Sequence, residues 1–272
     1  MIDLERSYPF VDRITFGFLE PEIDGEEMLG MLGIVVNVDP PQALLQEGEL
    51  HDVYMSDFRF VEVAGNPFPV VVRVATTILE VALTSPGSAR ATVWTTLHKS
   101  STPTSGWLVP YHAVRSNNAA VSYSDGCTGR VVESLGACWD AVVASSTLTR
   151  PPSTSARAMV PTPGLSLQVT DQSGKQWTPS LTQVDVNIGL IGYSKAPIRM
   201  TYDWSTSARG DSGALVSDQS TTPLPVGMHQ GTSVMRDTWG NALKESDGSD
   251  LRRAFGLCLY QIESTKDGEY FI

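Results

Sequence analysis

From about residue 70 onward, the chain consists of short segments rich in β-branched and aromatic residues, separated by clusters of Gly, Pro, Ser, Thr and Asn. Examples are "ARATVWTTL", "GWLVPYHAV", "VDVNIGLIGYS" and "LPVGMHQGTSV". Many short strands with frequent turn signals between them are typical of β-sandwiches and β-barrels. The sequence therefore predicts an all-β fold for this part of the chain.

Two features divide the chain further. The Pro- and Ser-rich stretch "TRPPSTSARAMVPTPG", residues 149–164, separates two strand-rich halves of similar size. Near the end, "SDGSDLRRAFGLCLYQIES" starts with helix-capping residues, and the apolar residues that follow fall near helical spacing. We therefore predict a C-terminal helix over about residues 250–263.

The net charge of −11 lies in the first quarter of the chain. Residues 1–65 hold 14 acidic and 3 basic side chains, and the remaining residues hold 16 of each sign. Such a segment repels nucleic acid, and no basic stripe occurs elsewhere, so nucleic-acid binding is not expected. We interpret residues 1–69 as an acidic N-terminal extension. It is either a solvated face or a docking surface, residues 1–65, for a regulatory protein partner.

Composition also predicts the compartment. No apolar run of 18 or more residues occurs, and "MIDLERSYPF" lacks the features of a secretory signal, so we predict a cytoplasmic protein without membrane association. The three cysteines are too few for a disulfide scaffold, although Cys127 and Cys138 could pair across a hairpin. No spacing suggests a zinc site, and no metal or cofactor is expected.

The segment "SARGDSGALV", residues 207–216, has the pattern of a nucleophilic turn. A nucleophilic serine needs a tight turn that exposes its oxygen, with backbone N–H groups directed at the developing oxyanion. Gly210, two residues before Ser212, tolerates the backbone angles of such a turn. The alternative is a polar turn between two strands, because a four-residue pattern also arises by chance.

A serine hydroxyl is a weak nucleophile unless a base takes its proton. Of the four histidines, His112 is the best candidate, because it follows an apolar stretch where a strand would give way to a short helical turn. Asp140 in "CWDAVVAS" begins a strand with apolar neighbours, where an unpaired carboxylate is costly. We therefore expect Asp140 to orient His112 as the acid of a triad.

His112, Asp140 and Ser212 occur in the order His, Asp, Ser, with short intervals between them. This order resembles the chymotrypsin-fold (trypsin-like) serine peptidases, and the short intervals are closest to bacterial members such as the HtrA group and the glutamyl endopeptidases. The resemblance implies that the three residues form the catalytic triad. It also implies an oxyanion hole formed by the backbone N–H groups of Gly210 and Ser212.

The resemblance covers about residues 70–272 and implies two six-stranded antiparallel β-barrels. The first would span about residues 70–155 and the second about residues 160–250, with the triad in the cleft between them. Together with the C-terminal helix and the acidic extension, this is the fold that we predict.

The residues on either side of Ser212 resemble one group of these peptidases more specifically. "MTYDWSTSARGDSG" and "PVGMHQGTS" are similar to the corresponding runs of bacterial glutamyl endopeptidases. By that similarity, His229 and the hydroxyl of Ser207 or Thr206 would receive an acidic side chain of the substrate, beside Gly231. The alternatives are that His229 is a packed strand histidine, and that the preferred substrates carry small or aliphatic side chains.

These observations support two hypotheses. The first is an intracellular serine endopeptidase that acts through an acyl-enzyme, prefers Glu or Asp before the scissile bond and is switched on by a partner. The second is a binding or assembly module that keeps the protease fold with little turnover. The acidic segment 1–65 motivates the second hypothesis, since it could dock to a larger assembly or cover the cleft.

Overall fold

The computed structural model is built mostly of β-strands, and this confirms the all-β prediction. It describes residues 4–24, 26–55, 59–80, 82–85, 88–90, 96–99, 105–114, 119–122, 127–135, 141–145, 158–171, 173–185, 199–204, 207–260, 262 and 270–271. The strands are β1 Val11–Phe18, β2 Leu32–Val38, β3 Arg59–Val63, β4 Asn66–Leu79, β5 Ala82–Ser85, β6 Ser88–Arg90, β7 Thr96–Lys99, β8 Ser105–Pro110, β9 Ala120–Ser122, β10 Thr128–Ser134, β11 Ala141–Ala144, β12 Leu167–Thr170, β13 Gln176–Trp177, β14 Leu181–Asp185, β15 Arg199–Asp203, β16 Leu215–Asp218, β17 Pro225–Arg236, β18 Arg252–Cys258 and β19 Tyr270–Phe271. The helices are short: α1 Leu4–Ser7, α2 Pro21–Asp24, α3 Gln42–Gln46, α4 His51–Met55, α5 Tyr111–Val114, and a 3-10 turn at Glu26–Met28.

The strands form two large sheets. The larger one has the order β13-β12-β16-β17-β18-β15-β14-β1-β2-β4-β3, and an additional pairing between β17 and β4 closes seven of these strands into a ring. The smaller one has six strands in the order β19-β7-β8-β11-β10-β9. Two six-stranded barrels were predicted. The smaller sheet has the predicted number of strands, whereas the larger sheet has eleven.

The segment up to Glu80 supplies β1, β2 and β4 to the closed ring, which differs from the predicted extension. β1 pairs antiparallel with β14, and β2 pairs in parallel with β4. The predicted boundary at residue 69 or 70 falls inside β4, and β4 belongs to the larger sheet rather than to a first barrel. Residues Arg59–Val63 form β3, which pairs with β4 at the edge of this sheet. Its partners could not be read from local composition, because strand pairing across the chain is a tertiary property.

The predicted C-terminal helix over residues 250–263 is wrong for most of its length. Arg252–Cys258 is strand β18, which lies between β15 and β17 and pairs with both. A strand that is buried on both faces carries a continuous apolar run, and over a short stretch such a run also matches helical spacing. Gly256 allows the close pairing with β17, since a Cβ there would lie 2.6 Å from the Met228 carbonyl oxygen. A helical conformation appears only after β18, at residues 259, 260 and 262.

A buried apolar cluster joins the two sheets. Leu108 of β8 packs with Met228 of β17 and Leu257 of β18, all fully buried. This contact places β8, the strand that leads into α5 and His112, next to β17 and β18. The two predicted halves therefore meet where the candidate site residues lie. No helix in the described part of the chain is long and apolar enough to cross a membrane.

Candidate active site

The turn around Ser212 has the backbone geometry that its glycines predict. Gly210 and Gly213 both have positive φ angles, 105° and 98°, which most side chains would resist. The Asp211 carboxylate accepts a hydrogen bond from the Ala208 N–H at 2.7 Å, so this side chain braces the turn. The Gly213 N–H donates to the His229 carbonyl at 2.7 Å, which fixes the turn to β17.

Ser212 and His112 are in hydrogen-bond contact. Strand β8 ends at Pro110 and α5 begins at Tyr111, as the strand-to-helical-turn prediction required. This places His112 Nε2 2.8 Å from Ser212 Oγ. His112 is 8% exposed and Ser212 is fully buried. A base within this distance can take the hydroxyl proton. Asp140 lies outside the described residues.

The backbone of Glu80 lies against the serine turn. The Gly210 N–H donates to the Glu80 carbonyl oxygen at 2.8 Å, and the Ser212 N–H donates to the same oxygen at 3.2 Å. These are the two donors that the sequence resemblance implies for an oxyanion hole. The geometry therefore gathers one peptide carbonyl, two converging donors and a serine paired with a histidine.

The Glu80 side chain is bound by two of the predicted pocket residues. His229 Nε2 lies 2.8 Å from Glu80 Oε2, and Ser207 Oγ donates to Glu80 Oε1 at 2.9 Å. The Glu80 side chain is only 5% exposed and that of His229 is fully buried. Each carboxylate oxygen has one donor, which is what a buried carboxylate requires. Thr206, the alternative hydroxyl, lies outside the described residues.

Two aromatic residues before the serine complete this pocket. The Tyr202 hydroxyl lies 2.6 Å from His229 Nδ1, and Trp204 Nε1 donates to Ser207 Oγ at 2.6 Å. Burial, together with the Glu80 carboxylate, raises the pKa of Tyr202 well above its usual value. The hydroxyl therefore keeps its proton and can donate to Nδ1, which leaves the Nε2 proton of His229 for Glu80.

The residues before Glu80 extend along β17 as an added antiparallel strand. Leu79 is opposite Gly231, Ile78 is opposite Thr232, and the Glu80 N–H donates to the Gln230 carbonyl at 3.2 Å. A Cβ at Gly231 would clash with the Ile78 carbonyl oxygen. Gly231 therefore lets the backbone of β4 approach closely.

The structure thus brings six predicted site residues together around one segment. These are His112, Ser207, Gly210, Ser212, His229 and Gly231. The sequence-based interpretation missed Glu80, Tyr202 and Trp204. A signal for Glu80 was present, because it is the lone acidic residue within the apolar run "FPVVVRVATTILEVAL". A carboxylate in such a run needs partners once it is buried.

The described residues contain no group of three or more His, Cys, Asp or Glu side chains that could hold a metal ion. The chemistry available within them is that of a hydroxyl, an imidazole, two backbone donors and a pocket for a carboxylate. This set of groups suits acyl transfer at a peptide carbonyl.

Comparison with known proteins gives similarity to solved structures only. No family model matches the chain, and no curated protein matches it. A Nocardiopsis protease is 12% identical, with a TM-score of 0.45, and the match covers 69% of this chain and 94% of the other. A glutamic-acid-specific serine protease is 16% identical, with a TM-score of 0.45 and coverage of 68% and 94%.

The Rv3671c protease of M. tuberculosis is 14% identical, with a TM-score of 0.38, covering 64% of this chain and 87% of that one. Because all of these TM-scores lie below 0.5, the similarity does not establish a shared fold or activity. The arguments below therefore depend on the geometry of the site.

Proposed function

We propose that this protein is a serine endopeptidase that cleaves peptide bonds after glutamate. The observation that carries the proposal is the environment of Glu80. Its carbonyl oxygen accepts from the Gly210 and Ser212 N–H groups, its carboxylate meets His229 and Ser207, and Ser212 Oγ lies 2.8 Å from His112. A substrate residue in an active site of this class needs these contacts together.

In the proposed mechanism, Ser212 Oγ attacks the substrate carbonyl carbon while His112 Nε2 takes its proton. The backbone donors of Gly210 and Ser212 stabilise the oxyanion, and His112 then gives the proton to the departing amine. Water hydrolyses the acyl-enzyme by the same route in reverse.

Asp140 is the proposed acid that orients His112. The adjacent residue, Ala141, pairs with Pro110, two residues before His112, and this register supports the assignment.

The proposed specificity comes from paired donors in a pocket closed to water. The Tyr202 hydroxyl sets the tautomer of His229, and Trp204 orients the Ser207 hydroxyl, so both donors are held in place before substrate binds. A glutamine in the same pocket would bring an N–H group against a donor. We expect this to lower the stabilisation of the transition state by about 2–5 kcal/mol, which is about 30-fold to 5,000-fold in kcat/KM.

The experiment compares two peptides with the sequence of residues 75–83, ATTILEVAL and its Gln-containing counterpart ATTILQVAL. The enzyme form is the full chain with Glu80→Lys, because a lysine cannot accept hydrogen bonds from His229 and Ser207, and without these bonds the end of β4 can separate from β17 and admit the peptide. We expect cleavage after glutamate, with kcat/KM at least 30-fold higher than for the glutamine peptide. Mass spectrometry of the products identifies the cleaved bond.

The matched control is the double variant Glu80→Lys, Ser212→Ala, which should cleave neither peptide. Equal cleavage of the two peptides would contradict the proposed specificity. Folded Glu80→Lys protein that cleaves neither peptide, or cleavage that survives Ser212→Ala, would contradict the proposed activity.

A further inference from the structure

We infer that Glu80 is the protein's own substrate residue, and that the chain cleaves itself between Glu80 and Val81. The inference rests on the proposed function and adds a specific bond, an intramolecular reaction and a lasting product complex. Residue 81 lies outside the described residues, so the argument depends on the chain up to Glu80.

The first observation is that the end of β4 occupies the site in the manner of an extended peptide. Residues 74–79 add to the edge of β17, which is a common mode of peptide recognition. The last described residue before the bond, Glu80, places its carbonyl at the two donors of the serine turn and its carboxylate in the pocket. A strand that served only as structure would not need all of these contacts at one residue.

The second observation concerns access. Ser212 is fully buried and Glu80 is 3% exposed, so an external peptide cannot reach the serine while Glu80 is bound. The two residues before Glu80 are much more exposed to solvent: Ile78 is 36% and Leu79 is 43% exposed. In a strand that served only to pack the core, we would expect the apolar side chains to be buried and the carboxylate to be exposed. The reverse arrangement here fits a segment whose role is to bind the site through Glu80.

The third observation is that the other end of β4 is held firmly. Val70 to Val74 pair with Ile34 to Val38 of β2, and the buried Arg73 bridges Glu20 and Asp24. Cleavage after Glu80 would therefore leave residues 1–80 attached to the larger sheet. The new carboxylate of Glu80 would remain next to Ser212 until the end of β4 separates from β17.

The reaction balances as one hydrolysis. Ser212 Oγ bonds to the Glu80 carbonyl carbon, the bond to the Val81 nitrogen breaks, and His112 passes the serine proton to that nitrogen. Water then releases the Glu80 carboxylate and restores the Ser212 hydroxyl. The products are residues 1–80 and residues 81–272, and together they weigh one water more than the intact chain.

The test is intact mass spectrometry of the freshly purified full chain and of the chain after incubation, in parallel with Ser212→Ala and Glu80→Gln. We expect the wild type to give the two fragments, Ser212→Ala to stay intact, and Glu80→Gln to be cleaved at least 30-fold more slowly. Native mass spectrometry should detect the two fragments as one complex. Cleavage should be independent of protein concentration, and added wild type should leave tagged Ser212→Ala intact.

The outcomes separate this inference from the proposed function. If Glu80→Lys cleaves the ATTILEVAL peptide while the wild type remains a single chain, the self-cleavage inference is wrong and Glu80 is a permanent inhibitor. Cleavage of the wild type at another bond, or equal cleavage of Ser212→Ala, would also overturn it. If Glu80→Lys is folded and inactive on the peptide, the proposed function itself fails.

Discussion

The two halves of β4 show how one strand can be structural at one end and substrate-like at the other. Residues 66–74 pair with β3 and β2, and Arg73 lies buried among carboxylates. Among the described residues, 75–79 pair with β17 alone, and Ile78 and Leu79 are exposed. Glu80 then enters the pocket. The difference teaches that residues 66–74 fix β4 to the larger sheet, whereas residues 75–80 lie along β17 and in the candidate site.

The largest expected effect is on peptide cleavage, and it concerns only the free half of β4, residues 75–79, and the site next to it. Ser212→Ala should lower peptide cleavage by the Glu80→Lys protein by about 10⁴-fold to 10⁶-fold, because the nucleophile is lost. The anchored half, residues 66–74, should be unaffected, so adding Ser212→Ala to the Glu80→Lys protein should change its denaturation midpoint little. A large loss of stability would mean that the serine turn holds the fold, and would contradict this separation.

The second effect concerns the anchored half. Arg73→Met leaves Asp24 buried without its cation and Glu20 with Arg253 alone, and should lower the free energy of unfolding by about 3–5 kcal/mol. Ile78→Thr in the free half is the matched control and should change it by about 0.5 kcal/mol or less. Urea denaturation of both variants in the Ser212→Ala background measures the difference. Equal losses would show that the two halves are anchored alike.

The third effect is on specificity in the pocket. In the Glu80→Lys protein, His229→Ala should reduce the preference for glutamate over glutamine by about 30-fold or more, since a buried carboxylate loses one of two donors. Ser207→Ala should have the smaller effect, about 10-fold to 100-fold, because a hydrogen bond to a charged group contributes about 1.5–3 kcal/mol. The ratio of kcat/KM for the two peptides measures both. If His229→Ala kept the preference for glutamate, His229 would have no role in this specificity.

The smallest effect is the pH dependence of the anchored half. Burial raises the pKa of Glu20, but Arg73 and Arg253 outweigh burial and hold the pKa below its usual value. A carboxylate with a lowered pKa stabilises the fold above the unfolded pKa of about 4.3, and this contribution is lost as the pH falls through the folded pKa. Between pH 5 and pH 3, the Glu20→Gln, Ser212→Ala double variant should therefore lose less free energy of unfolding than Ser212→Ala alone. Urea midpoints at both pH values test this, and parallel losses would contradict it.

Much of the site could be predicted because its signals are local in sequence. The glycines around Ser212 favour a turn, and the apolar strand before His112 indicates where this histidine lies. His229, and Ser207 or Thr206, were expected beside the serine because the flanking runs resemble those of bacterial glutamyl endopeptidases, and the structure places His229 and Ser207 against Glu80. Glu80 could not be assigned, because its role depends on the pairing of β4 with β17, and these two strands lie far apart in the sequence. The pairing of β1 with β14 was missed for the same reason.

The prediction of β18 as a helix failed for a different physical reason. Leu251, Ala254, Phe255 and Cys258 fit a helical face, yet all residues from 254 to 258 are buried, so both faces of the strand are covered, and its two edges pair with β15 and β17. Spacing alone does not distinguish these environments over so short a stretch. The close approach to Met228 at Gly256 favours a strand, but it becomes visible only once the neighbouring strand is known.

The central claim is that Ser212 is an activated nucleophile covered by Glu80. Labelling with a fluorophosphonate probe, with peptide mapping of the labelled residue, tests it most directly. The account predicts labelling of Ser212, faster in Glu80→Lys than in the wild type and absent in Ser212→Ala and His112→Ala. Folded Glu80→Lys protein that does not react at Ser212, or that reacts equally well without His112, would contradict the claim.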